Sequence, residues 1–190
     1  MSQKFYSQNE ETCGRDVDAA CGVVSLANAL ILLEAPHHKS PEQIIQALSS
    51  LSDKSLAEMK GISPVEMLQL CNTVGRSMGY QAVLEHPCAM SRLSVGTIMY
   101  VDSIALKNCQ GDIQFESAAF DSHIVTVESI NATEIVLISP DCRRSGRGFR
   151  HDIWGRMKLR VTQLDEVWKT TRQDGLKTEK AAVFLSRIAD

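Results

Sequence analysis

The chain has 190 residues, 44% of them hydrophobic and 23% charged, with a formal net charge of −3. That length suits one domain over residues 1–190 with a core large enough to need no staples, and the composition excludes disordered and fibrous classes. The slight acidity gives no reason to expect a nucleic-acid partner. With no apolar run long enough for a membrane span and a polar start at residues 1–4, the reading is a cytoplasmic protein, secretion without a cleaved signal remaining open.

Residues 1–17 are polar, with Tyr6, Gln8 and a Cys13-Gly14 pair, and read as an extended arm and loop. The stretch Asp18–Glu34 follows, and the rest of the chain is organised around it. Small residues lead to Cys21-Gly22, where a turn becomes about three turns of nearly all-apolar helix. The N–H groups and dipole of a helix start favour an anion, so a thiol there ionises more easily than the free side chain, whose pKa is about 8.5. Ala19, Ala20 and Gly22 leave room for a substrate carbonyl beside the thiolate. The competing reading of Cys21 is a small core-filling residue. Cys13 is a rival nucleophile, but Arg15-Asp16-Val17-Asp18 after it has no helical apolar face to supply a dipole.

Two capping boxes open the next helices. Ser40-Pro41-Glu42-Gln43 starts one with Ile44, Ile45, Leu48 and Leu51 on its apolar face. Ser63-Pro64-Val65-Glu66 starts another that runs through Met78 and stops at Gly79. From Tyr80 the pattern alternates, with strands expected at Gln81–Leu84, Val95–Val101, Ser122–Ile130, Glu134–Ile138, Ile153–Leu159 and Ala181–Ser186. Lys107–Phe120 reads as a loop, Asn131–Thr133 as a hairpin turn, and Thr162 as the cap of a late helix ending at Trp168. Helices first and an antiparallel sheet second give an α+β layout.

A thiol becomes a catalyst only with a base. His123 opens the strand His-Ile-Val-Thr-Val, and after the hairpin the next strand ends in Ser139-Pro140-Asp141. Antiparallel pairing sets the start of one strand beside the end of the next, so His123 and the Ser139–Asp141 segment should be neighbours. An imidazole between a thiol and an acid is what nucleophilic catalysis needs. The six cysteines, at 13, 21, 71, 88, 109 and 142, show no C-x-x-C spacing and read as free thiols, with no metal site and no cofactor. The basic stretch Cys142–Arg150 reads either as a solvated loop or as a recruiter of an acidic peptide or terminal carboxylate.

Cys-Gly-Val-Val-Ser-Leu-Ala-Asn-Ala-Leu at 21–30, His-Ile-Val-Thr-Val at 123–127, Pro-Asp at 140–141 and Leu-Asp-Glu-Val-Trp at 164–168 together resemble the C39-like branch of the papain-like cysteine peptidases. The resemblance spans roughly Gln8 to Leu185. It implies a papain-like fold, with the catalytic helix in an N-terminal helical half, and a Cys-His-Asp mechanism. Cys21 would be the nucleophile, His123 the general base and acid, and Asp141 the orienting carboxylate. The family's acid directly precedes the proline, where this chain has Ser139, so Ser139 and Asp141 both stand as orienters, with Asp141 favoured for its charge. The family's oxyanion-donating Gln, about six residues before the thiol, is replaced by Arg15, and Gln8 is the best substitute. The expected activity is cysteine-dependent amide-bond hydrolysis of a peptide or protein through a thioester. A related deamidase or acyl-transferase, or a catalytically silent peptide-binding module of the same shape, are the alternatives.

Overall fold

The computed structural model describes residues 5–6, 20–51, 61–109, 122–140, 156–171 and 177–189. The chain is α+β. Three helices come first: α1 (Cys21–Leu32), α2 (Pro41–Leu51) and α3 (Pro64–Arg76). They are followed by β1 (Tyr80–Glu85), β2 (Ile98–Asp102), α4 (Ser103–Cys109), β3 (Ser122–Ile130), β4 (Glu134–Ile138) and β5 (Arg156–Arg160). The chain closes with α5 (Leu164–Val167), β6 (Lys169–Thr171), β7 (Lys177–Glu179) and β8 (Ala182–Arg187). Six strands form one antiparallel sheet in the order β1-β8-β2-β3-β4-β5, and β6 pairs with β7 separately.

Both helix starts read from serine-proline pairs form as expected. The Ser63 hydroxyl accepts from Glu66 N at 3.2 Å while the Glu66 carboxylate accepts from Ser63 N at 2.7 Å. Ser40 N likewise donates to Gln43 Oε1 at 3.0 Å. These bonds satisfy donors that a helix start otherwise leaves without partners. The α3 helix ends at Arg76, and Gly79 turns the chain into β1 with a φ of 76° that a side chain would disfavour.

Strand alternation sorts the core into two layers. Ile98, Tyr100, Ile124 and Val183 face α1, α2 and α3, whereas Met99, Val101, Val125 and Ala182 face α5 with Trp168. Burial on both faces explains why the central strands read as near-continuous apolar runs.

Three expectations need correction. The strand expected from Val95 begins at Ile98, because Ser94–Thr97 closes a turn (Thr97 N to Ser94 O, 3.1 Å) with Gly96 at φ 80°. Lys107–Cys109, expected in a loop, belongs to α4, whose start is capped by Asp102 Oδ1 accepting from Ala105 N at 3.1 Å. Residues 110–120 of that expected loop lie outside the described residues, as do 153–155 of the strand that starts at Arg156. The late helix is a 3-10 turn over Val161–Gln163 leading into α5, its first turn tied by Arg160 N to Gln163 Oε1 at 3.0 Å rather than by Thr162. The β6–β7 pair was not foreseen, since three-residue strands carry too little alternation to read.

Candidate functional site

Cys21 is the first residue of α1, with Ala20 at the cap position supplying no side-chain bond and no acidic residue in the first turn. The helix dipole therefore reaches the thiol without a side-chain cap to offset it. Gly22 beside it lies close against its neighbours: a methyl group there would lie 2.7 Å from Met67 Cε and 2.9 Å from Ile62 Cδ1, so those side-chain ends would have to shift. Two polar residues interrupt the apolar helix, and both are buried with partners. The Ser25 hydroxyl donates to the Ile124 carbonyl at 2.9 Å, and Thr126 Oγ1 donates to the Ser25 carbonyl at 2.8 Å. Asn28 bonds the backbone of Tyr6 twice.

These contacts fix the direction of the helix. Gly22 abuts Ile124, Ser25 spans Ile124 and Thr126, and Leu33 packs on Gly96, whose N–H donates to the Val127 carbonyl at 2.9 Å. The α1 helix thus runs parallel to β3, and its thiol end lies at the end of the sheet where β3 begins with Ser122 and His123.

The same end of the sheet carries the base. His123 pairs with Val101 across β2 and stands in the row of Val125 and Val127, on the face turned away from α1. Only Ser122 precedes it in the strand, so the residue stands at the rim of the sheet. The β4 strand, antiparallel to β3, delivers Ser139 to this rim, and His123 Nε2 lies 3.0 Å from Ser139 Oγ. Ser139 is fully buried, and His123 is 9% exposed. The structure therefore joins His123 to Ser139 and brings the Cys21 end of α1 to the same rim. Asp141, Gln8 and the rival Cys13 lie outside the described residues.

Other thiols behave differently. Burial pushes the Cys71 thiol far above the usual range, and burial with the neighbouring Glu85 pushes Cys88 up to about 12. Burial, then Glu166, raises Cys109 as well. All three are in no disulfide, as read from the sequence. Among the described residues no group of three His, Cys, Asp or Glu side chains could hold a metal ion, and no helix is long and apolar enough to cross a membrane.

Sequence reasoning missed two features at this rim and along α1. Asp102 ends β2 opposite Ser122, and the hydroxyl of the adjacent Ser103 is buried with no hydrogen-bond partner among the described residues. The Asn28–Tyr6 clamp was also missed, although a polar residue inside an apolar helix is itself a sign that a partner is needed. No protein-family model matches the chain, and no curated protein matches it.

Proposed function

We propose that the chain is a papain-like, cysteine-dependent amide-bond hydrolase of peptides or proteins, with Cys21 as nucleophile and His123 as base and acid. The observation that carries the reading is the 3.0 Å contact of His123 Nε2 with buried Ser139, made at the end of the sheet where α1 presents its thiol. With Nε2 engaged by Ser139, proton exchange with Cys21 falls to Nδ1. The Cys21 thiolate attacks the scissile carbonyl, the N–H groups at the start of α1 and the Gln8 carboxamide receive the developing oxyanion, and the imidazolium protonates the leaving amine. Water, deprotonated by the same ring, then hydrolyses the thioester. Ser139 takes the orienting contact in this account, and Asp141, two residues on, is the carboxylate that the resemblance implies.

One observation favours a second reading. At Nε2 the ring meets a neutral hydroxyl, which stabilises an imidazolium less than a carboxylate does, as a silent peptide-binding module would tolerate.

Incubation of the wild-type chain with a complex peptide library, followed by mass spectrometry, separates the two. Hydrolysis is expected to yield new termini that are lost in Cys21→Ala and kept in Cys13→Ala. Cleavage that persists in Cys21→Ala, or no cleavage at all, overturns the enzyme assignment.

A further inference from the structure

Ser103 follows the last residue of β2 and is the first residue of α4. It is 3% exposed, and among the described residues it carries the one buried side-chain polar atom without a hydrogen-bond partner. A buried hydroxyl left unbonded is destabilising, and alanine would fill the same space without that penalty. Such a group takes its partner from a molecule that enters.

Two observations put Ser103 on the face of the sheet that carries His123. Val101 pairs with His123 across β2 and β3, and Ser103, two residues on, continues the Val101 row by alternation. Along α4, Ser103 and Leu106 are three residues apart and share a helix face. Leu106 is fully buried in the layer of Val101, Val125 and Trp168, on the same side of the sheet as His123. Diagonal neighbours in an antiparallel pair stand about 7–8 Å apart. Two serines therefore flank the imidazole: Ser139 on the β4 side, 3.0 Å from Nε2, and Ser103 on the β2 side, not bonded to the ring.

Once Cys21 is acylated it has no thiol proton to exchange with Nδ1, and that nitrogen takes a proton from water instead. One bond to the ring leaves a water free to turn, whereas a second partner fixes its oxygen. A serine hydroxyl can be that partner as donor or as acceptor, and the enclosure of Ser103 favours a partner as small as water over a peptide chain.

We infer that Ser103 is a positioning residue that holds the hydrolytic water beside His123; the inference deepens the thiol-hydrolase reading and rests on it. The water proton passes to Nδ1 as its oxygen bonds to the thioester carbon. The tetrahedral oxyanion then collapses, the C–S bond breaks with its electron pair going to sulfur, and the acid leaves a thiolate and an imidazolium as at the start. Acylation uses no water, so Ser103 acts on the second half of the cycle alone.

p-Nitrophenyl acetate separates the halves, since p-nitrophenolate is released first in a burst that reports acylation of Cys21 and then at a steady rate set by hydrolysis of the acetyl-enzyme. In Ser103→Ala the burst rate should match wild type, while the steady rate falls by about tenfold or more and acetylated Cys21 accumulates, as read by mass spectrometry. Hydroxylamine attacks a thioester without a base to deprotonate it, and should bring the steady rate of Ser103→Ala up to that of wild type in the same reagent. Urea unfolding of the variant should be unchanged or shifted to higher urea, because the hydroxyl removed was unbonded. An unchanged steady rate overturns the inference. So does an equal loss of burst and steady rates, or unfolding at clearly lower urea, either of which marks the hydroxyl as structural. A wild-type chain that yields no acetylated Cys21 overturns the hydrolase reading, and the inference with it.

Discussion

Ser25 and Ile124 lock the thiol helix to the strand that carries the base: the buried Ser25 hydroxyl donates to the Ile124 carbonyl at 2.9 Å, one residue from His123 and one helical turn from Cys21. The bond sets how far α1 can slide along β3. Ser25→Ala leaves a buried carbonyl without its donor and should cost about 1–3 kcal/mol in urea unfolding. Turnover should fall beyond what the unfolded fraction explains, since a misplacement of about 1 Å at the helix start is felt in the transition state. Full turnover in the folded variant would show that the bond only stabilises.

Ser139 is expected to orient the imidazole. Ser139→Ala should lower kcat by about tenfold to a hundredfold with little change in KM, because an orienting group acts on the transition state. Parallel kinetics on Asp141→Ala divide the labour: a neutral Ser139→Ala beside a crippled Asp141→Ala would return the orienting role to the carboxylate.

Stability should fall at alkaline pH through the buried thiols. Cys71 and Cys88 keep their protons in the folded chain well above 9.0, where they ionise once unfolded. A raised folded value makes its contribution complete below 9.0 and progressively lost as pH rises, up to about 12 for Cys88. For fully buried Cys71 the slope is about 1.4 kcal/mol per pH unit. Cys71→Ala should therefore flatten the decline in unfolding free energy between about pH 9 and pH 11. An identical slope in wild type and variant would contradict this.

The order of elements was readable because each carried its own local signal. Serine-proline caps announced α2 and α3, and alternation located β3 and β4 to the residue. Short elements were not legible. The α4 helix depends on a single capping carboxylate from the end of β2, and β6 and β7 are too short to show a period. At the site, antiparallel pairing was enough to predict that the chain after β4 meets His123. It could not rank Ser139 against Asp141, because that choice turns on side-chain placement at a strand end. The bonds from Ser25 and Asn28 link residues far apart in the chain, and no spacing in the sequence encodes such partners.

Whether Cys21 and His123 act as a pair is read most directly by the pH dependence of Cys21 alkylation by iodoacetamide, followed peptide by peptide. Cys21 should react rapidly near pH 6, well below the free-thiol pKa of about 8.5, while Cys71, Cys88 and Cys109 stay inert. His123→Ala should cut the Cys21 rate at that pH by about tenfold or more. A Cys21 that follows the profile of an ordinary thiol, identical with and without the His123 ring, would contradict the central claim.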